Sequence, residues 1–205
     1  MIVRAYHVII TAYGFWLPND PRGSWSDFIR QWELLRYGKA TKVTTRQSVA
    51  GRPHDVHLRE EAKRALRYPP VMFTGVQARA VGVGFRLAIE ESHYTVHACS
   101  ILPEHAHLVV ARHAHRAELI AGHLKGRATQ ELLREELHPL AAYRQTDGTI
   151  PSPWARKSWS VFLRTDTAIR RAIRYVEENP QKEGKPRQRW PFVASFVSMV
   201  NGYRK

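Results

Sequence analysis

Residues 94–112 contain two apolar, β-branched runs separated only by Pro103-Glu104, and this pairing constrains the fold more than any other feature. Tyr94–Leu102 reads as a strand, Pro103-Glu104 as a tight turn, and His105–Arg112 as the returning strand. A connection this short joins only antiparallel neighbours. Alternate side chains of a strand share a face, so His105 and His107 project side by side from the second strand. Two imidazoles placed together suit a metal ion or a phosphate group. A single histidine is more often a surface or satisfied core residue.

Around this hairpin the chain alternates strand and helix signals. Residues 2–12 read as a strand, 75–92 as a helix despite three glycines, and 116–137 as a basic-acidic helix ending before His138-Pro139. Residues 140–153 read as a loop, and Trp154–Arg164 as an extended segment. Asp166–Glu178 reads as a helix with Thr165 or Asp166 as its N-cap. The order predicts an α+β domain, an antiparallel sheet flanked by helices. Residues 1–205 are expected to form one domain. Residues 20–70, basic and irregular with a short helix at Glu60–Arg67, read as an insertion within it.

Charge narrows the partners. Thirty-two Lys and Arg against eighteen Asp and Glu leave a net charge of +14, which favours a polyanion and most of all nucleic acid. Cys99 is the single cysteine, so no internal disulfide forms, and its apolar flanks predict a buried thiol. Val8–Tyr13 is too short to cross a membrane and has no small-residue cleavage pattern after it, so a cytoplasmic, nucleoid-associated setting is expected.

The second constellation lies on the helix at 166–178. Ala168, Ile169, Ala172, Ile173 and Val176 form one apolar stripe, with Tyr175 and Asn179 one turn apart on its edge. Taken alone, Tyr175 is an amphipathic boundary residue and Asn179-Pro180 a common helix-ending step. Arg170, Arg171 and Arg174 occupy the polar side. A second His-x-His, His113-Ala-His115, is flanked by arginines and reads as a solvated turn.

Taken together, the two elements resemble a known family. Leu102-Pro-Glu-His-Ala-His-Leu-Val-Val110 is similar to the His-hydrophobic-His strand of the single-tyrosine transposases. Tyr175-Val-Glu-Glu-Asn-Pro-Gln-Lys-Glu-Gly184 is similar to their Tyr-x-x-x-Asn-Pro helix end. The branch most alike is the REP-associated tyrosine transposases, with Trp154, Trp159 and Trp190-Pro191 in matching order. The resemblance covers roughly 75–195 and the first strand. Two departures stand out: Ala106 is smaller than the residue usual between the histidines, and residues 20–70 lengthen the first connection.

The resemblance implies a ferredoxin-like nuclease core that cleaves and rejoins single-stranded, hairpin-containing DNA through a 5′-phosphotyrosine. It implies Tyr175 as nucleophile and His105, His107 and Asn179 as ligands of a magnesium or manganese ion, although two imidazoles alone suit zinc better. Assembly as a monomer or as a homodimer is compatible with it. Basic grooves with aromatic platforms bind single strands. Trp16, Arg22, Trp25, Lys125, Arg127, Arg156, Lys157, Arg170, Arg171 and Arg174 are the expected DNA contacts, with Trp154 and Trp159 as further stacking candidates.

Other readings fit less of the chain. A histidine-triad hydrolase needs a third alternating histidine, but Leu108 and Val109 follow His107. A two-histidine phosphoesterase needs a second His-x-Ser/Thr, and the chain offers no convincing one. A non-catalytic DNA- or RNA-binding protein, descended from a transposase, explains the charge equally well but not the joint presence of His105, His107, Tyr175 and Asn179.

Overall fold

The computed structural model describes residues 2–44, 49 and 51–197. Residues 45–48 and 50 of the 20–70 segment lie outside the described residues. Four strands, β1 (Ala5–Thr11), β2 (Val96–Ile101), β3 (His105–Ala111) and β4 (Trp159–Leu163), form one antiparallel sheet in the order β2-β3-β1-β4. The helices are α1 (Val56–Arg64), α2 (Gly75–Ser92), α3 (Ala117–Arg134) and α4 (Asp166–Lys182). The expected α+β architecture is what forms, and the β2–β3 hairpin closes through Pro103-Glu104 with Leu102 N–H donating to His105 O at 2.8 Å.

Strand alternation divides the core into two layers. Tyr6, Val8 and Ile10 of β1 and Ala106, Leu108 and Val110 of β3 face α2 and α3, joined there by Phe85, Ile120, Leu124 and Trp154. The opposite face holds a smaller layer: Ala5, Val109 and Leu163 against Ile169, Ala172 and Val176 of α4. The stripe read from the sequence is therefore the seam of α4 on the sheet. Beyond that small layer, the same sheet face carries His7, Ile9 and Thr11 on β1 and His105 and His107 on β3, all in register.

Two glycines of α2 are contact residues. A Cβ on Gly82 would stand 2.1 Å from the Trp190 ring, and one on Gly84 would stand 2.4 Å from Ala128 Cα on α3. Both helix packing and the seat of the Trp190-Pro-Phe anchor need bare backbone here. Gln188 beside that anchor accepts from Ile101 N–H at 2.8 Å and donates to Ile101 O at 2.7 Å, closing part of the β2 edge. Ala194 N–H donates to Val96 O on the same edge.

Several boundaries differ from the sequence reading. The α-helix of the 20–70 segment, α1, starts at Val56 rather than Glu60, because the Asp55 side chain caps it by accepting from Leu58 N–H. Trp154 sits before β4 and is buried among Phe73 and Phe85, its indole donating to Thr129 Oγ1 at 3.0 Å. It is a core residue, not a stacking platform.

Helix α4 runs through Asn179-Pro180 to Lys182, four residues beyond the expected end. Proline so near the C-terminus removes one amide donor without stopping the helix. The stop is Gly184, at φ +67°, with Gly184 N–H on Gln181 O and Lys185 N–H on Pro180 O. This is a Schellman ending, which uses the left-handed conformation glycine adopts without strain. At the other end Thr165, one of the two expected caps, accepts from Ala168 N–H at 3.2 Å.

Candidate active site

The extra turn of α4 matters because it carries the site. Tyr175, Asn179 and Glu183 follow at four-residue intervals and so point along one edge of the helix and its C-cap. That edge overlies the histidine face of the sheet. The Tyr175 ring lies 5.5 Å from His107 and 5.7 Å from His7, centroid to centroid. The Asn179 amide nitrogen stands 3.4 Å from His105 Nε2, and a Glu183 carboxylate oxygen is 3.8 Å from the same nitrogen. One chain thus brings Tyr175, Asn179 and the His-x-His pair together.

The histidine pair is a trio. His7, in β1 and opposite Val109, shares a hydrogen bond between its Nε2 and His107 Nδ1 at 3.0 Å. One of those nitrogens carries the proton, so the contact orients the His107 ring and couples its tautomer to that of His7. The His105 ring is set at right angles to His107, 4.8 Å away, and is stacked under Phe15 at 5.0 Å. His7, Phe15 and Glu183 were absent from the sequence reading. The legible signal for His7 was a histidine on an otherwise apolar strand, and for Glu183 the four-residue spacing from Asn179.

Burial sets the protonation of the group. It lowers His7 and His105 each to about 4. His107 is held well below the usual imidazole value by burial first, then by the charges of His105 and His7. All three are neutral imidazoles near neutral pH, the form that binds metals and accepts protons. Tyr175 shifts the other way: burial raises it, and the Glu183 carboxylate adds to the effect. Glu183 is itself raised, by burial and then by Glu104. The Lys182 ammonium lies 4.9 Å from the Tyr175 ring centroid.

One spacing in the site is that of two ligands on a divalent cation. Cis ligands about 2.1 Å from one ion stand about 3 Å apart, close to the spacing between His105 Nε2 and the Asn179 amide. A half-turn of the amide presents its oxygen in place of its nitrogen. His105 Nδ1 is buried without a hydrogen-bond partner, so the ring is not committed to the protein through that atom. Among the described residues no three His, Cys, Asp or Glu side chains converge as a ready metal cage.

The expected DNA contacts are dispersed. Arg156, Lys157, Arg170, Arg171 and Arg174 are exposed. Arg170 lies over the Phe196 ring at 5.4 Å. Trp25 stacks on Trp159 at 4.2 Å, linking the first loop to β4, and the Trp16 indole donates to Gly23 O. Lys125 donates to the carbonyls of Ala155 and Arg156, both at 3.1 Å, and Arg127 pairs with Glu91 at 2.8 Å. Arg22 requires correction. It is buried, binds Asp20 through two 2.8 Å hydrogen bonds, and lies 4.0 Å from the Trp16 ring centroid. A guanidinium so occupied holds the loop together and does not reach a phosphate. The second His-x-His sits at the opposite end of β3, where His115 meets the Tyr94 hydroxyl at 2.9 Å.

No protein-family model matches the chain, and neither does any curated protein. Solved structures similar to it include two described as transposases. One is a REP-associated tyrosine transposase bound to a REP hairpin, 12% identical over 90% of this chain and 70% of that one, with a TM-score of 0.45. The other, from Deinococcus radiodurans R1, is described as a transposase; it is 13% identical over 87% of this chain and 92% of that one, with a TM-score of 0.39.

Proposed function

We propose that the chain is a tyrosine transposase that cleaves and rejoins single-stranded, hairpin-containing DNA. One observation carries the reading: a single helix edge delivers Tyr175 and Asn179 onto a buried cluster of neutral histidines. A structural tyrosine needs no such neighbours, whereas a tyrosine attacking a phosphodiester needs a base, a charge to oppose the phosphate, and fixed geometry.

Tyr175 Oη attacks phosphorus. The Oη–P bond forms, the P–O3′ bond breaks, and the leaving oxygen takes up a proton as a free 3′-hydroxyl. The products are a 5′-phosphotyrosine and that hydroxyl. In the second half another 3′-hydroxyl attacks the phosphotyrosine, a phosphodiester re-forms, and the phenol is released with its proton. The number of phosphoester bonds is conserved, so no nucleotide cofactor is consumed.

The chain's residues account for the proton. A tyrosine at its ordinary value of about 10 is a phenol near neutral pH, and Tyr175 is shifted further up, so its proton must leave as the bond to phosphorus forms. His7, outside the proposed ligand set, is the neutral imidazole beside its ring placed to accept that proton through one water. Phe15 and the His7–His107 bond hold the rings in place. His105, His107 and Asn179 are the residues that would hold magnesium or manganese, which when bound supplies positive charge opposite the phosphate oxygens and the leaving oxygen.

The test is a denaturing gel. Hairpin DNA with a single-stranded flank, incubated with the protein and manganese, should yield a protein–DNA adduct that survives detergent and heat. Tyr175→Phe should abolish it. Equal adduct from both proteins would reject the nucleophile assignment, and adduct from neither would favour a non-catalytic DNA-binding protein.

A further inference from the structure

The segment between β1 and α1 presents aromatic rings to solvent that the proposed active site does not use. Trp32 is 78% exposed, Leu35 59% and Phe28 55%. Tryptophan is seldom left this bare, because its large apolar surface gains by burial. Trp32 and Leu35 belong to the 3₁₀ helix Trp32–Tyr37, in which residues three apart eclipse and form one outward ridge.

The ridge is held on a rigid base. Leu34, between them, is fully buried with Leu17, Ala62 and Leu66. Asn19 donates to Leu34 O at 3.0 Å, and Gln31 donates to the Tyr13 hydroxyl at 3.1 Å. The buried Asp20–Arg22 pair and the Trp25–Trp159 stack bind the same segment to itself and to β4. The rings therefore stand out from an ordered surface rather than from a loose loop.

The surface is also cationic. Arg30 lies over Phe28 at 4.4 Å and Arg36 over Tyr37 at 4.9 Å. Residues 28–44 hold Arg30, Arg36, Lys39 and Lys42 against Glu33 alone, and Lys42 is paired with Asp27. Exposed rings interleaved with guanidinium groups match a single strand of nucleic acid, whose bases stack and whose phosphates take the cations. An apolar protein partner would have to strip those guanidinium groups from the rings and leave them uncompensated.

We infer that Phe28, Trp32, Arg30 and Arg36 form a second DNA-binding surface, a stacking platform for an unpaired stretch of the strand whose scissile phosphate lies at Tyr175. The inference rests on the single-stranded DNA reading above. It assigns to the 20–44 segment a contact with DNA outside the catalytic residues.

The experiment is equilibrium binding, read by anisotropy of a labelled oligothymidine of about 20 nucleotides, with chelator present so that no chemistry occurs. Trp32→Ala should weaken binding about 10-fold, the loss of one stacked base, and Trp32→Phe should restore most of it. Arg30→Gln with Arg36→Gln should weaken binding and flatten its salt dependence, because fewer counterions are displaced. Trp32 is exposed, so the variant is expected to fold; its circular dichroism and melting should match the parent. Unchanged affinity in Trp32→Ala overturns the inference. So does a change confined to self-association in light scattering, which would make the ridge a protein contact. The Tyr175 adduct is measured separately: a platform that fails while the adduct forms leaves the catalytic reading intact, and the reverse leaves the platform.

Discussion

Buried neutral histidines make a quantitative demand on stability. Burial lowers His7 and His105 each to about 4 in the folded protein, against about 6.5 for an imidazole exposed on unfolding. Between those values the unfolded chain binds the extra protons, so stability rises with pH through this window and falls as pH is lowered. At about pH 5 each imidazole costs about 2 kcal/mol relative to neutral pH, and two cost about 4 kcal/mol if they act independently. His107 shifts in the same direction and steepens the loss. That is a large share of the 5–15 kcal/mol that roughly bounds a domain's stability. Urea unfolding followed by circular dichroism at about pH 5, 6 and 7 measures it. His7→Gln should remove about 2 kcal/mol of the acid-induced loss, whatever it does to stability at neutral pH. A parent whose stability is flat over this range, or a His7→Gln variant with the parent's slope, would refute the burial of the trio.

Three other outcomes are expected. Gly82→Ala should destabilise the fold by roughly 1–3 kcal/mol, since its Cβ meets the Trp190 ring; Trp190→Leu should relieve part of that cost in a double-mutant cycle by thermal melting. Asn179→Ala should raise the manganese concentration needed for half-maximal adduct by about 10-fold or more while far-ultraviolet circular dichroism stays unchanged, and an unchanged requirement would remove Asn179 from the ligand set. Binding of single-stranded DNA should weaken steeply as salt rises, because a chain of +14 charge binds phosphates by displacing counterions; a flat response would point to a different ligand.

Much of the fold was legible because it rests on strong local signals. The Pro103-Glu104 turn, the alternation in β1 and β3 and the apolar stripe of α4 each specify a geometry, and each formed where expected. Tyr175 and Asn179 fell on one edge because helical periodicity requires it. The misses have physical causes. Pro180 read as a stop, but the helix reads its ending from Gly184, where a positive φ is accessible. Arg22 read as a phosphate contact because charge implies exposure, and local sequence does not show that Asp20 would claim it inside the loop. Trp154 lay near charged residues in sequence yet belongs to the core through α2 and α3. His7 joined the site only through pairing between β1 and β3, across a separation of 100 residues that no local pattern spans. The glycines of α2 weakened its helix signal, and two of them, Gly82 and Gly84, are the contact points that make its packing possible.

The account's central claim is that α4 presents a nucleophile to the histidine cluster, and peptide mapping of the covalent adduct tests it most directly. The protein is incubated with hairpin DNA and manganese, the DNA trimmed by nuclease, and the tryptic peptides sequenced by mass spectrometry. Among the eight tyrosines of the chain, the 5′-phosphonucleotide should be found on Tyr175 alone. A linkage to any other residue, or no linkage in a preparation that binds the same DNA, would contradict it.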